Sequence, residues 1–143
     1  MEDFDKSPNT MYITEDSKKF LVEIAKWSKF LSIIGMLFIV LLALAALSIS
    51  LVGNYIPTQQ FAIPSGLISF IYLVVALFYG FPVYYLYKAA TDIKDGIEEE
   101  NEILLTNGFK NLKSHYKFIG IFTLVIIAFY GLIIFLAILK GIF

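Results

Sequence analysis

Between positions 30 and 87 the chain contains no Asp, Glu, Lys, Arg or His. A soluble domain keeps its surface hydrated with interspersed charges, and 58 consecutive uncharged residues leave none to place there. A helical membrane crossing, by contrast, needs about 20 successive apolar residues. The run therefore divides into two crossings and a connection. Residues 30–52, dense in Leu, Ile and Ala, form the first span, and residues 66–87 form the second. Residues 53–65 hold two Pro, one Asn and two Gln and read as the turn region between them. A third apolar run, residues 118–139, supplies a third crossing. The expected fold class is all-α, with three long transmembrane helices in a single membrane domain, 14–143, after a flexible cytoplasmic N-terminal segment, 1–13.

Composition points the same way. Hydrophobic residues make up 59% of the chain, against about 45–50% in an average soluble domain. The net charge of −1 and the absence of Arg remove the concentrated basic surface that a nucleic-acid partner requires. Without Cys, disulfides, thiolate catalysis and zinc–thiolate sites are excluded together. The first apolar run is too long for a signal peptide and follows 29 hydrophilic residues, so it reads as an uncleaved anchor.

The lysines orient the spans. Lys6, Lys18, Lys19, Lys26 and Lys29 precede the first, and Lys88, Lys94, Lys110, Lys113 and Lys117 lie between the second and third. The 53–65 link has none, and only Lys140 follows the third span. Ten against one is a strong positive-inside bias. It places the N-terminus and the 88–117 segment in the cytoplasm, and the link and C-terminus outside. Trp27, Tyr84, Tyr85, Tyr87 and Tyr116 fall at the inner boundaries, where amphipathic rings sit at headgroup level; Tyr55 marks the outer end of the first span. Lys29 and Lys117 are placed to snorkel to the interface, and Lys110, Lys113 and Lys117 form a basic ridge beside the membrane.

The helices are expected to continue past the lipid. Phe20, Ile24, Trp27 and Leu31 follow a 4-3-4 spacing that makes one apolar helical face. Leu105, Phe109, Leu112 and Tyr116 repeat it, and Ile93 and Ile97 do so more briefly. Thr14 is a plausible N-cap, with Glu15 and Asp16 in the first turn. Pro64 suits the start of the second helix, Pro82 sits inside it, where a kink or a local hydrogen-bond defect is expected, and Asn101 suits the reversal before the third. Each helix would then run to roughly 35 residues, about 50 Å. The three cytoplasmic extensions, with 88–117 as a helical hairpin, would pack as a small bundle; lying flat on the membrane is the alternative. Lys29-Phe-Leu-Ser-Ile and Lys117-Phe-Ile-Gly-Ile open two spans alike, which a shared interface explains as well as duplication does.

Chemistry is sparse. The spans contain no ionisable residue other than tyrosine, so proton relays, pumps and voltage sensors have nothing to build with. Ser32, Ser48, Ser50, Ser69 and Thr123 are read as bonding to backbone carbonyls or neighbouring helices. Small residues four apart, Ala46 with Ser50 and Ala76 with Gly80, are candidate helix-packing sites, as are Leu105, Phe109 and Leu112 on the extensions. His115 is the only His and has no ligating neighbour three or four residues away, so it reads as a solvated interfacial side chain. Glu98, Glu99, Glu100 and Glu102 match no EF-hand spacing and read as a solvated helix end. No catalytic, cofactor or metal residue is assigned.

The segments Ala25-Lys-Trp-Ser-Lys-Phe-Leu-Ser-Ile-Ile-Gly, Tyr84-Tyr-Leu-Tyr-Lys and Gly108-Phe-Lys-Asn-Leu-Lys-Ser-His-Tyr-Lys-Phe-Ile-Gly-Ile resemble a family of small bacterial membrane proteins from Bacteroidetes-type envelopes, a domain of unknown function. The resemblance spans about 80% of the chain, from Ala25 onward. It implies a topology and no activity. The expectation is a non-enzymatic inner-membrane protein whose partners are the lipid bilayer and other membrane subunits or itself. A homo-oligomeric channel or small-solute permease is the alternative.

Overall fold

The computed structural model describes residues 13–53 and 64–142, with no side-chain statement at 142. Most of the expected outer link, with Tyr55, and the N-terminal segment with Lys6 lie outside the described residues. Three helices carry the described chain: α1, Glu15–Val52; α2, Ser65–Glu98; and α3, Glu102–Ile142. They contain 38, 34 and 41 residues, and each is long and apolar enough to cross a membrane. α1 and α3 run unbroken from the charged end into the apolar spans, so the extensions are continuations of the spans and not separate surface helices.

The ends form as local chemistry dictates. Thr14 caps α1 by accepting the Ser17 N–H at 3.3 Å, which satisfies one of the amides left free at a helix start. Pro64 stands at the cap of α2, where its own missing N–H costs nothing, and its carbonyl accepts from Leu67 at 3.0 Å. α2 ends in a Schellman arrangement: Asn101 N–H donates to Gly96 O at 2.9 Å, and Glu100 N–H to Ile97 O at 3.4 Å. Glu100 carries the left-handed conformation of that motif, with φ 51°. Asn101 then caps α3, its Oδ1 accepting from Ile103 N at 3.0 Å and Leu104 N at 3.2 Å. The reversal expected at Asn101 is thus shared by two residues.

α2 is the middle element. It packs antiparallel against α1 on one side and α3 on another, while α1 and α3 do not pack on each other among the described residues. The α1 seam carries Ala25, Ser32 and Ala46, all buried, at multiples of seven residues. On α2, Ser69, Ala76, Val83 and Ala90 are buried at the same interval. Seven-residue spacing keeps one face of each helix on its partner over many turns. The seam is small-sided because lipid tails are as apolar as Leu: burial of large side chains gains little there, and close backbone approach gains dispersion. Accordingly most of the bulky Leu, Ile and Phe residues of the spans face outward.

The bundle of extensions takes a different form from the one the stripes suggested. Phe20 and Trp27 are 66% and 61% exposed, and Ile24 and Leu31 also face outward. α1 turns its Ala25–Ser32 side to α2 instead, because small residues permit closer approach. Of the other stripes, Ile93 is buried, Leu105 and Leu112 are half-buried, and Phe109 and Tyr116 are exposed.

Candidate functional site

The α2–α3 hairpin is fastened at the charged end by two glycines. A Cβ on Gly96 would lie 2.6 Å from the Leu105 backbone nitrogen, and one on Gly108 would lie 2.8 Å from that of Ile93. Backbone cannot move aside as a side-chain tip can, so both positions require Gly. Asn111 Nδ2 donates to Asp92 Oδ2 at 3.0 Å between these helices. Further toward the spans, His115 Nδ1 donates to the Pro82 carbonyl at 2.7 Å. A carbonyl only accepts, so this contact fixes the proton on Nδ1. His115 is therefore a half-buried interhelix tie and not the solvated side chain expected. α2 continues as helix through Pro82, which is buried and has no N–H to give the Phe78 carbonyl, the local hydrogen-bond defect expected there.

Beyond Phe118, whose ring lies 5.8 Å from that of Phe78, α3 parts from α2. The angle between them holds a recess of about 240 Å³ lined by Val74, Val75, Phe78, Tyr79, Phe118 and Phe122 among others. From Leu124 to Gly141 every residue of α3 is exposed.

The helix-packing candidates separate cleanly. Ala46 and Ala76 are buried in the seam, and the Ser69 hydroxyl donates to Ala46 O at 2.6 Å. Ser50 faces outward, Gly80 has open space where a Cβ would stand, and Phe109 is 42% exposed. The buried seam follows a spacing of seven, which carries it past positions 50 and 80. Leu105 backs onto Gly96 and Leu112 is half-buried. Reading small residues at seven-residue intervals would have found Ala25, Ser32, Ala90, Ala89 and Gly96, which a spacing of four missed.

The boundary residues lie at the level where the polar and apolar parts of the helices meet. Lys29 Nζ stands 5.5 Å from the centre of the Tyr87 ring, a cation–π arrangement that joins α1 to α2. Tyr84 and Tyr85 rings meet edge-on at 6.0 Å, and Trp27 meets Phe30 at 5.9 Å. Lys88, Lys110, Lys113, Tyr116 and Lys117 are exposed. The hydroxyls Ser32 and Ser48 donate to the carbonyls of Lys29 and Leu44 in their own helix. The two copies of the Lys-Phe entry differ in setting: Ser32 is buried, while Gly120 at the matching position meets open space.

At the far end an open groove is lined by Glu15, Lys18, Lys19, Glu23, Glu98 and Glu100 among others. The Glu15 carboxylate, 2.7 Å from Lys18 Nζ, raises the Lys18 pKa above its ordinary value, first by the hydrogen bond and then by its charge. Among the described residues no cluster of His, Asp and Glu is placed to hold a metal ion. These elements define a class: a multi-pass, all-helical membrane protein with three spanning-length helices. No family model, curated protein or solved structure matches the chain.

Proposed function

We propose that the chain is a non-enzymatic protein of a bacterial inner membrane that serves as an accessory or scaffold subunit by packing helices against a larger membrane assembly. The observation that carries this reading is the outer half of α3. From Leu124 to Gly141 every residue is exposed, and Gly131 and Gly141 meet open space, whereas α1 is paired with α2 along both the charged end and the span. A helix that leaves its own hairpin presents its whole circumference for association, and Gly120 and Gly131, both open, allow close approach. The lysine asymmetry supports a cytoplasmic N-terminus and an outer C-terminus.

The test is purification at native expression in mild detergent, with sizing and mass spectrometry, for the wild type and for Gly120→Leu with Gly131→Leu. Co-purifying membrane subunits that the double variant loses would support the reading. A monomer with no companion in either sample would overturn it, and a pure homo-oligomer would transfer the case to a channel or permease.

A further inference from the structure

Lysines at the charged end are sorted by depth. Those farthest from the spans each have a carboxylate: Lys18 with Glu15 at 2.7 Å, Lys19 with Asp16 at 3.2 Å and Lys94 with Glu98 at 3.4 Å. Those nearer the spans, Lys26, Lys29, Lys88, Lys110, Lys113 and Lys117, have no carboxylate within ion-pair distance among the described residues. Interhelix contacts bring five of these to one level, all but Lys26. Lys29 reaches the Tyr87 ring, next to Lys88. Asn111, between Lys110 and Lys113, bonds to Asp92, and His115, between Lys113 and Lys117, bonds to Pro82. Lys29, Lys88, Lys110, Lys113 and Lys117 therefore stand beside residues 82–92 of α2, a layer about 15 Å deep at 1.5 Å per residue, and Lys26, one turn before Lys29 on α1, lines the groove that also holds Glu23 and Glu98. Asp92 is the one carboxylate on α2 within that layer, and its Oδ2 is taken by Asn111.

Read as sequence, Lys110, Lys113 and Lys117 fall short of the roughly four to eight basic residues of a lipid-binding cluster. The folded hairpins double the number by adding Lys26, Lys29 and Lys88 from two other helices. Against the Asp92 carboxylate and Glu23, one turn from Lys26, the six lysines leave a net positive layer, ringed by Trp27, Tyr84 and Tyr116 at the edge of the spans, that complements the phosphate layer of an anionic leaflet. We propose that this belt is a binding surface for anionic phospholipid headgroups, selective for them over zwitterionic ones. It is independent of the subunit reading, which rests on α3 at the opposite end.

The experiment incubates the full chain with vesicles of equal parts phosphatidylcholine and phosphatidylglycerol, extracts it gently and measures the retained lipid by mass spectrometry. Wild type should retain phosphatidylglycerol in at least about threefold excess, and raising salt from about 0.05 M to about 0.5 M should erase most of it. Replacing Lys88, Lys110, Lys113 and Lys117 with Gln should abolish the excess, while Lys18→Gln with Lys19→Gln should leave it intact. Retention of both lipids in the supplied ratio by the wild type would overturn the proposal, as would equal loss in the two variants. The wild-type ratio and its salt dependence decide the matter even if the fourfold variant fails to fold.

Discussion

α2 offers two faces to two partners, and they behave differently. Toward α1 it presents Ser69, Ala76, Val83 and Ala90, small or narrow at every step, and contacts run from the Ser69–Ala46 hydrogen bond to the Tyr87–Lys29 contact and beyond it into the charged end. Toward α3 it presents Gly96, Pro82 and Val75. This face begins with no side chain at the charged end and grows bulkier with depth. α3 sits hard against Gly96 and diverges by the level of Val75, where the apolar recess opens. In lipid, where bulky apolar contacts gain little over lipid itself, side-chain size sets which helices stay together.

Substitutions can break that contrast. The largest effect is expected for Gly96→Val, which must push the Leu105 backbone away: a loss of about 3 kcal/mol in reversible unfolding in bicelles. Ala46→Leu, in the buried α1 seam, should cost about 1–3 kcal/mol, whereas Gly131→Leu, with open space around it, should leave stability unchanged or slightly raised. Equal costs at 46 and 131 would dissolve the distinction between paired and unpaired spans. Ser69→Ala removes one interhelix hydrogen bond, expected at about 0.6 kcal/mol. Asn101→Ala should lose about 1 kcal/mol of capping, and Glu100→Gly should gain a few tenths up to about 1 kcal/mol by relieving the left-handed residue. Thermal unfolding followed by circular dichroism reads both changes.

Much of this was legible in the residues. The uncharged run and the Pro64 boundary set the spans, and Thr14, Glu15 and Asp16 set the start of α1, because caps and hydrophobic length are local matters. Packing was less legible. Phe20, Ile24, Trp27 and Leu31 make a fine apolar stripe, yet near a membrane an apolar face need not be a buried one. The faces that are buried are mostly Ala, Ser and Gly, with Pro82, Val83 and Ile93 among them, and their signal is smallness at an interval of seven. Gly96 and Gly108 were invisible because their role depends on the partner backbone that meets them, and His115 because Pro82 lies 33 residues away.

The chain has no Cys, so paired cysteines report on proximity without background. Copper-phenanthroline crosslinking in native membranes would compare Ala46→Cys with Ser69→Cys against Gly131→Cys with Ile68→Cys. The first pair should form an intramolecular disulfide in high yield and the second none. Equal yields would mean that α3 folds back along α2, contradicting a free outer half.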